Sequence, residues 1–220
     1  MNKTETILSG LKGRKNLIEP EVKAILKEYG ISVPDFAVVT TENELSRLKL
    51  RFPVAMKVAS PDILHKTDVG GVILNVRDAD EMKERYHMLK QKFPDADILV
   101  ESMEKGNVEV IIGLLNDPTF GMTIMFGLGG IFTEVYKDVV FRVVPISRTD
   151  AEQMLTEIKA RKMLEGFRNI KTDRDAVIDT LLKVSRLGQD MEGTLDQMDA
   201  NPVFVKEHGT VVVDAKMILR

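Results

Sequence analysis

The chain has 220 residues, of which 44% are hydrophobic and 30% charged, and its formal net charge is −3. These values allow one large domain or two small lobes and exclude a disordered or fibrous protein, while the missing basic excess argues against nucleic-acid binding. There is no cysteine for a disulfide, a thiolate zinc site or a nucleophile. No apolar stretch predicts a membrane helix or a signal peptide. From these features we expect a cytoplasmic protein.

Helix and strand signals alternate along the first part of the chain. Residues 20–29 carry apolar side chains at helical spacing, and Pro20 suits the first turn of a helix. The same periodicity predicts helices at 42–49 and 78–92. Short apolar runs bounded by polar residues or glycine predict strands. These strands are FAVVT (36–40), PVAMKVA (53–59) and GGVILNV (70–76).

A second strand-rich region is expected from DILVES (97–102), because Phe93-Pro94-Asp95 breaks the helix before it. We therefore predict a boundary there, with one lobe over 1–97 and the other over 98–220. The later predicted elements are strands at 108–115, 122–128 and 139–146, helices at 149–166 and 173–188, and two strands around a hairpin at 207–209. Adjacent antiparallel pairs mixed with helices favour α+β lobes over a doubly wound parallel sheet.

Lys57 interrupts the apolar strand PVAMKVA. A lysine at such a position is either an edge residue that extends to water or a cation directed into a cleft. The residue alone does not decide between the two.

The loop SPDILHKTDVGGV (60–72) follows the Lys57 strand directly. His65 offers a nucleophile or a proton carrier, and Lys66 adds a positive charge. Gly70 and Gly71 end the loop, and paired glycines allow backbone amides to approach an anion closely. This pattern indicates a phosphate-binding loop, and a tight turn with a surface histidine is the alternative.

A glycine cluster in the second lobe follows an apolar strand, at Gly127-Leu128-Gly129-Gly130. Such a cluster could cradle phosphate or form a simple turn. Arg142 follows on the next strand, where cross-strand ion pairing is the alternative to a catalytic role.

Oxygen-bearing side chains surround the final hairpin. Asp199 and Asn201 are two residues apart and can share one face of a strand. Asp214 is expected on the returning strand, within reach of the same face. Two carboxylates and an amide oxygen are ligands that suit Mg²⁺, and a turn is the alternative because these residue types favour turns.

The segment ILVESMEKGNVEV (98–110) could hold a nucleoside. Glu101 and Glu109 are expected on neighbouring strands, where their carboxylates could bind ribose hydroxyls or an adenine amino group. Backbone groups near Met103 could contact an adenine edge. Composition alone indicates an ordinary hairpin.

Five segments together resemble the ATP-grasp subunit of ADP-forming acyl-CoA synthetases, also called ADP-forming acetate–CoA ligases, in the succinyl-CoA synthetase superfamily. The segments are VAMKVAS, SPDILHKTDVGGV, FGLGGIFTEV, DVVFRVVPI and MDANPVFV. The similarity extends from about residue 15 to residue 220. It implies an α+β fold of the ATP-grasp type, with the nucleotide bound between two α+β lobes.

The resemblance also implies roles for individual residues. His65 would carry a phosphoryl group as phosphohistidine, and Lys57 would contact nucleotide phosphate. A hinge that holds adenine and ribose would consist of Glu101, Met103 and Glu109. Magnesium would be bound by Asn201 and Asp214, with Asp199 as a third candidate ligand. The remaining candidate nucleotide-binding residues are Lys66, Gly70, Gly71, Gly129, Gly130 and Arg142.

The implied reaction is that of an acid–thiol ligase, in which acyl-CoA, ADP and phosphate give the acid, CoA and ATP. An acyl phosphate forms on a partner subunit, a histidine there takes the phosphoryl group, and a mobile segment carries it towards the ATP-grasp site. Mg²⁺ is the implied cofactor. Because the chain has no G-x-G-x-x-G motif of a CoA-binding Rossmann domain, we expect a separate α subunit and an α2β2 assembly.

Two other functions stay open. A non-catalytic nucleotide-sensing or docking module, related to the ATP-grasp domains fused to protein acetyltransferases, would bind nucleotide without needing His65. A stand-alone ATP-grasp carboxylate–amine ligase would need an acceptor-binding lobe, for which 220 residues leave little room.

Overall fold

The computed structural model describes residues 3–63, 65–129 and 138–220. Its helices are α1 (Lys3–Gly10), α2 (Glu19–Glu28), α3 (Glu42–Leu45), α4 (Ala79–Lys92), α5 (Arg148–Glu157) and α6 (Arg174–Asp190). Its strands are β1 (Phe36–Val39), β2 (Val54–Ala59), β3 (Val72–Val76), β4 (Asp97–Ser102), β5 (Val108–Asp117), β6 (Gly121–Leu128), β7 (Val139–Val143), β8 (Leu195–Val205), β9 (Thr210–Val212) and β10 (Ala215–Leu219). None of the helices in the described ranges combines the length and the apolar character that crossing a bilayer requires.

Two helices are shorter than their sequence patterns predict. α3 ends at Leu45 because Leu48 and Leu50 both pack on the core, and side chains two residues apart share a face only in extended chain. α5 ends at Glu157, and a 3₁₀ helix follows at Lys159–Leu164. The carboxylate of Asp138 accepts the backbone N–H groups of the first two residues of that 3₁₀ helix, which gives these groups a partner outside the α-helical pattern.

The chain divides into two units. The four-stranded unit comprises Ile18–Glu21 and Pro34–Glu104, and the six-stranded unit comprises the described residues of Met1–Leu17, Val22–Val33 and Lys105–Arg220. This division differs from the predicted boundary at 97/98. The reason is β4, which pairs with both β1 and β2 instead of starting a second sheet.

The sheet of the four-stranded unit has the order β1-β4-β2-β3, with every pair antiparallel. One face packs with α3 and α4 into an apolar core that includes Met56, Val58, Tyr86 and Leu89. Because side chains alternate along a strand, Lys57 lies on the opposite face of β2.

The six-stranded unit has the strand order β10-β8-β5-β6-β7, with β9 added against β8. The pairing of β5 with β8 shifts within the ladder, since Val110 is opposite Val203 while Ile112 is opposite Ala200. β8 therefore contains one additional residue at 201–202, a β-bulge that interrupts the regular alternation of its side chains. This bulge lies at Asn201, in the segment predicted to bind metal.

Candidate functional site

Lys57 is not an edge residue. β2 lies between β4 and β3 in the sheet, and all six of its residues are buried. The alternative in which the lysine extends to water is therefore wrong, and the charge of Lys57 must be compensated inside the protein.

Four buried charged side chains meet on this face of the sheet. The ammonium of Lys57 donates to Glu19 Oε1 at 2.7 Å and lies 2.8 Å from Glu101 Oε1. Lys66 donates to the other oxygen of Glu19 at 2.5 Å. Their exposed fractions are 5% for Glu19, 5% for Lys57, 8% for Lys66 and 1% for Glu101. Within these contacts two carboxylates pair with two ammonium groups, as burial of charge requires.

Local register explains one of these contacts. Glu101 lies opposite Ala55, two residues from Lys57 on the neighbouring strand. Diagonal positions on one face of an antiparallel pair are within reach of long side chains. The predicted candidates Lys57, Lys66 and Glu101 are therefore brought together by the fold.

Glu19 was missed by sequence analysis. It occupies the first turn of α2, where an acidic residue is common because it interacts favourably with the helix dipole. Its partner Lys57 is 38 residues away in sequence, and no spacing rule connects the two. The local pattern therefore contains no signal that distinguishes Glu19 from an ordinary first-turn glutamate.

The His65 loop is closed by its own backbone. The N–H of Gly71 donates to the Lys66 carbonyl at 2.6 Å, and the N–H of Gly70 donates to Thr67 at 3.0 Å. The expectation that both glycine amides are available to an anion is thus not met in this structure. Gly70 has a φ of 67°, and a Cβ on Gly71 would lie 3.1 Å from the Lys66 carbonyl oxygen. Both glycines are required by the turn itself.

His65 is exposed, and the next residue, Lys66, is buried. The fold thus directs the two side chains to different environments, the imidazole to solvent and the ammonium to Glu19. An exposed imidazole is accessible to a phosphoryl donor, as a nucleophile must be.

The predicted hairpin between Glu101 and Glu109 is wrong. Glu101 belongs to β4 in the four-stranded sheet, and the exposed Glu109 belongs to β5 in the six-stranded sheet. Met103 follows β4, where its N–H donates to the Pro53 carbonyl at 3.0 Å. The connection between the strands crosses from one unit to the other, so cross-strand pairing does not bring these residues together.

The remaining candidates of the six-stranded unit have structural contacts. The N–H of Gly129 donates to the Glu109 carbonyl at 2.8 Å, and a Cβ on Gly129 would lie 3.0 Å from the backbone of Val110. Arg142 pairs with Glu157 at 2.5 Å. Gly130 lies outside the described residues. A nucleotide role for these residues stays a prediction.

Asp199, Asn201 and Asp214 lie side by side in the six-stranded unit. The N–H of Asn201 donates to the Asp214 carbonyl at 3.0 Å, and the neighbouring positions Ala200 and Ala215 are paired across β8 and β10. Asp214 lies between β9 and β10, not within a strand. All three side chains are half-buried.

The electrostatics of Asp199 favour a cation. Its Oδ1 is buried and has no hydrogen-bond partner among the described residues. Burial raises the pKa of the Asp199 carboxyl above its ordinary value, the charge of Asp214 raises it further, and Lys216 opposes both. An ionised carboxylate here is poorly compensated, so a bound divalent ion would satisfy both the orphaned oxygen and the carboxylate pair.

The residues at this site fit Mg²⁺, which takes part of its ligands from water and phosphate, better than a metal whose ligands all come from protein side chains. Within the described part of the chain, no three His, Cys, Asp or Glu side chains are grouped to hold a metal ion. Mg²⁺ is often bound by one or two carboxylates, with water and substrate phosphates completing its shell. Asp199, Asp214 and the Asn201 amide match that partial set.

A separate cavity of about 630 Å³ lies in the six-stranded unit. Its lining comes from residues 164–174, and none of the predicted site residues that the structure describes contributes to it. It is therefore not assigned to the predicted chemistry.

Comparison with known proteins covers nearly the whole chain. Residues 10–219 match the ATP-grasp domain family. The chain is 46% identical, over 94% of its length, to the β subunit of ADP-forming acetate–CoA ligase II from Pyrococcus furiosus, and it covers 93% of that subunit. It is 45% identical to ADP-forming acetate–CoA ligase II from Archaeoglobus fulgidus, matching 92% of this chain and 30% of that longer protein.

A solved structure extends the similarity to three dimensions. It is the dinucleotide-forming acetyl-coenzyme A synthetase 1 of Ca. Korarchaeum cryptofilum, in complex with coenzyme A and Mg-AMPPCP, with its phosphohistidine segment pointing towards the nucleotide-binding site. The TM-score is 0.87 at 41% sequence identity, and the match covers 99% of this chain and 100% of that one. The similarity therefore spans both units.

Proposed function

Since this chain belongs to the ATP-grasp family, among the β subunits of ADP-forming acetate–CoA ligases, we propose that it transfers a phosphoryl group through His65 to ADP. The overall reaction converts acyl-CoA, ADP and phosphate into the acid, CoA and ATP. The observation that supports this most is the placement of an exposed His65 directly beside Lys66, whose buried ammonium shares one carboxylate with Lys57. This arrangement places a nucleophile on the residue next to a buried lysine–carboxylate network.

The transfer step needs a nucleophile and charge neutralisation. A neutral imidazole nitrogen of His65 takes the phosphoryl group that a phosphohistidine of the partner subunit delivers. The new P–N bond forms as the P–N bond on the partner breaks, and the electron pair of the broken bond returns to the partner's imidazole. The P–N bond on His65 then breaks as a terminal oxygen of the ADP β-phosphate forms the new P–O bond, and the electron pair of the P–N bond returns to the imidazole of His65. Lys57 and Lys66 neutralise charge on the phosphates during this transfer.

The metal belongs to the six-stranded unit in this proposal. Asp199, Asn201 and Asp214 would hold Mg²⁺, because the orphaned Asp199 oxygen and the raised pKa of this carboxyl call for a cation. When bound, Mg²⁺ neutralises nucleotide phosphate charge. The residues themselves orient the metal-bearing nucleotide.

The nucleoside contacts are proposed on the ends of β4 and β5. Met103 and the exposed Glu109 are assigned to adenine and ribose, and Gly129, Gly130 and Arg142 to the phosphates. Glu101 is 1% exposed and paired with Lys57. Its contribution therefore runs through Lys57, whose ammonium it holds, and not through direct contact with ribose.

Acyl-CoA chemistry is assigned to a separate α subunit, in an α2β2 assembly. One observation supports this: the chain covers 93% of a β subunit from Pyrococcus furiosus that is 46% identical to it. We expect the purified chain alone to give no acyl-CoA-dependent ATP synthesis, and the mixture with an α subunit to give it. Full activity of the chain alone would contradict this assignment.

Phosphoryl labelling tests the central step. The purified chain is incubated with Mg²⁺ and γ-labelled ATP, with and without an α subunit and CoA, and acid-labile, base-stable label is mapped. We expect label on His65, its loss in His65→Ala, and its retention in the matched variant His87→Ala, since His87 is an exposed histidine of the same unit. Bound nucleotide without label in either mixture would favour the nucleotide-sensing module instead.

A further inference from the structure

The carboxylate of Glu19 connects two separate segments. Its Oε1 accepts from Lys57 of β2 at 2.7 Å, and its Oε2 accepts from Lys66 of the His65 loop at 2.5 Å. Because each oxygen serves a different lysine, the position of one ammonium constrains that of the other. The contact spans 47 residues of sequence between Glu19 and Lys66.

Backbone hydrogen bonds hold the two halves of the His65 loop unequally. After His65, the Gly71 N–H binds the Lys66 carbonyl at 2.6 Å, and the Val58 N–H binds the Gly71 carbonyl at 2.8 Å. Before His65, the described contacts are longer, with Ile63 N–H at 3.4 Å from the Ser60 carbonyl and Asp62 N–H at 3.3 Å from the Ser60 hydroxyl. Lys66 is held at its carbonyl by the Gly71 N–H and at its ammonium by Glu19, so the loop is anchored at the residue next to the histidine.

Burial of Lys66 requires this anchor. Lys66 is only 8% exposed in the folded chain. A lysine buried to this extent loses hydration and rotamer freedom, and a well-formed ion pair offsets both costs. The pair with Glu19 meets that condition through a short, charge-assisted hydrogen bond.

We infer that Glu19 is a positioning residue for the phosphoryl transfer, acting on His65 through Lys66 and coupling the loop to Lys57. This inference rests on the proposed function, because it assigns a consequence to the role of His65. The described contacts of the Glu19 carboxylate are with the two lysines, so its effect on the reacting groups is indirect. Its effect is to fix the position of the His65 loop relative to Lys57, the lysine proposed to contact phosphate.

The test removes the charge from each end of the link. The variants are Glu19→Gln, Lys66→Met and the double variant, with Glu42→Gln as the matched control. Glu42 is also the first residue of a helix and also pairs with a lysine, Lys83 at 2.8 Å, but on the surface. Circular dichroism confirms folding, and Lys66→Met tests the link from its other end if Glu19→Gln does not fold.

Three readouts separate positioning from general damage. In Glu19→Gln we expect hydrogen exchange of the Gly71 amide to be about tenfold faster and His65 labelling to be about tenfold slower. The dissociation constant of Mg-ADP should stay within about threefold, since Lys57 keeps Glu101. The double variant should label no more slowly than the slower single variant, because both substitutions break the same link.

The outcomes distinguish this inference from the proposed function. Equal labelling rates in Glu19→Gln and Glu42→Gln would overturn the positioning role. If the wild-type chain carries no label, the proposed function fails, and the exchange experiment still decides the coupling. Unchanged exchange at Gly71 in folded Glu19→Gln and Lys66→Met would overturn that coupling too.

Discussion

Lys57 and its carboxylate partners are all more than nine-tenths buried, and they form an ion-pair network with Lys66. Such a network need not be more stable than an apolar replacement of the whole set. Removal of one member is different, because it leaves a buried charge of the opposite sign uncompensated. The network therefore restricts substitution at each of its positions.

Substitution of Lys57 by Met should lower the free energy of unfolding by about 3–5 kcal/mol, because Glu101 and Glu19 lose a buried counter-ion. Urea unfolding measures this change. Lys83→Met is the control, since its pair with Glu42 is exposed and should contribute about 0–1 kcal/mol. Equal losses in the two variants would contradict the burial argument. Mg-ADP affinity should fall only in Lys57→Met.

Asp199 illustrates a conflict between stability and binding. Its folded-state pKa is raised, first by burial, so its protonated form is favoured by folding. The stabilisation it contributes is fully present below the unfolded pKa of about 3.9 and is lost as pH rises through the folded pKa. At neutral pH the ionised side chain therefore destabilises the chain without metal.

The variant Asp199→Asn should consequently be more stable than the wild type at pH 7, by on the order of 1 kcal/mol, and the difference should vanish at low pH. Urea unfolding between pH 3 and 8 measures it. In the same variant Mg-ADP should bind more weakly. A variant that is less stable at neutral pH and binds Mg-ADP normally would remove Asp199 from the metal site.

At the scale of elements, α6 lies close to its sheet because a glycine faces the strands. A Cβ on Gly188 would lie 2.9 Å from Leu114 Cδ2 and 3.3 Å from Met122 Cγ. Leu114 is buried and belongs to β5, and Met122 belongs to β6. A methyl group at this position would therefore require the Leu114 and Met122 side chains, or α6 itself, to shift.

Gly188→Ala should lower the free energy of unfolding by about 1–3 kcal/mol through overpacking. Gly10→Ala is the matched control, because Gly10 is also helical and a Cβ there would have no atom of the described residues within 4 Å. This control should be neutral or more stable by up to about 1 kcal/mol, given the higher helix propensity of alanine. Thermal and urea unfolding compare the two, and equal behaviour would contradict the packing argument.

The bulge in β8 is a second feature of a single element that affects the candidate metal site. One additional residue at 201–202 shifts the strand against β5. Asn201 lies in the bulge, and Asp199 lies in the regular ladder before it. The backbone conformation that directs each side chain therefore differs between the two residues. A bulge of this kind re-aims side chains next to a site.

For the whole molecule, both units contribute candidate nucleotide residues, and Mg-ADP should therefore stabilise the folded chain. At a ligand concentration 100 times the dissociation constant, the gain is about 2.7 kcal/mol, which thermal unfolding detects as a higher midpoint. Removal of Mg²⁺ with EDTA should reduce the shift in the wild type and leave the smaller shift of Asp214→Asn nearly unchanged. An identical shift with and without Mg²⁺ would place the metal elsewhere.

Local patterns in the sequence were enough to predict most elements. The apolar runs of β2 and β3 and the helical spacing of Met82, Tyr86 and Leu89 in α4 lie where the structure has these elements. The motif resemblance predicted the ATP-grasp fold and the family, which the comparisons confirm. These properties are encoded within a few neighbouring residues or in short contiguous motifs.

The tertiary structure alone decided which residues become partners. It placed β4 in the first sheet, ended α3 at Leu45, engaged the amides of Gly70 and Gly71 within their own loop, and joined Glu19 to both lysines. Each of these depends on contacts between distant segments, such as the 38 residues that separate Glu19 from Lys57. Periodicity and propensity are set by a few neighbouring residues. Compensation of a buried charge depends instead on which oppositely charged groups the fold places within about 3 Å of it.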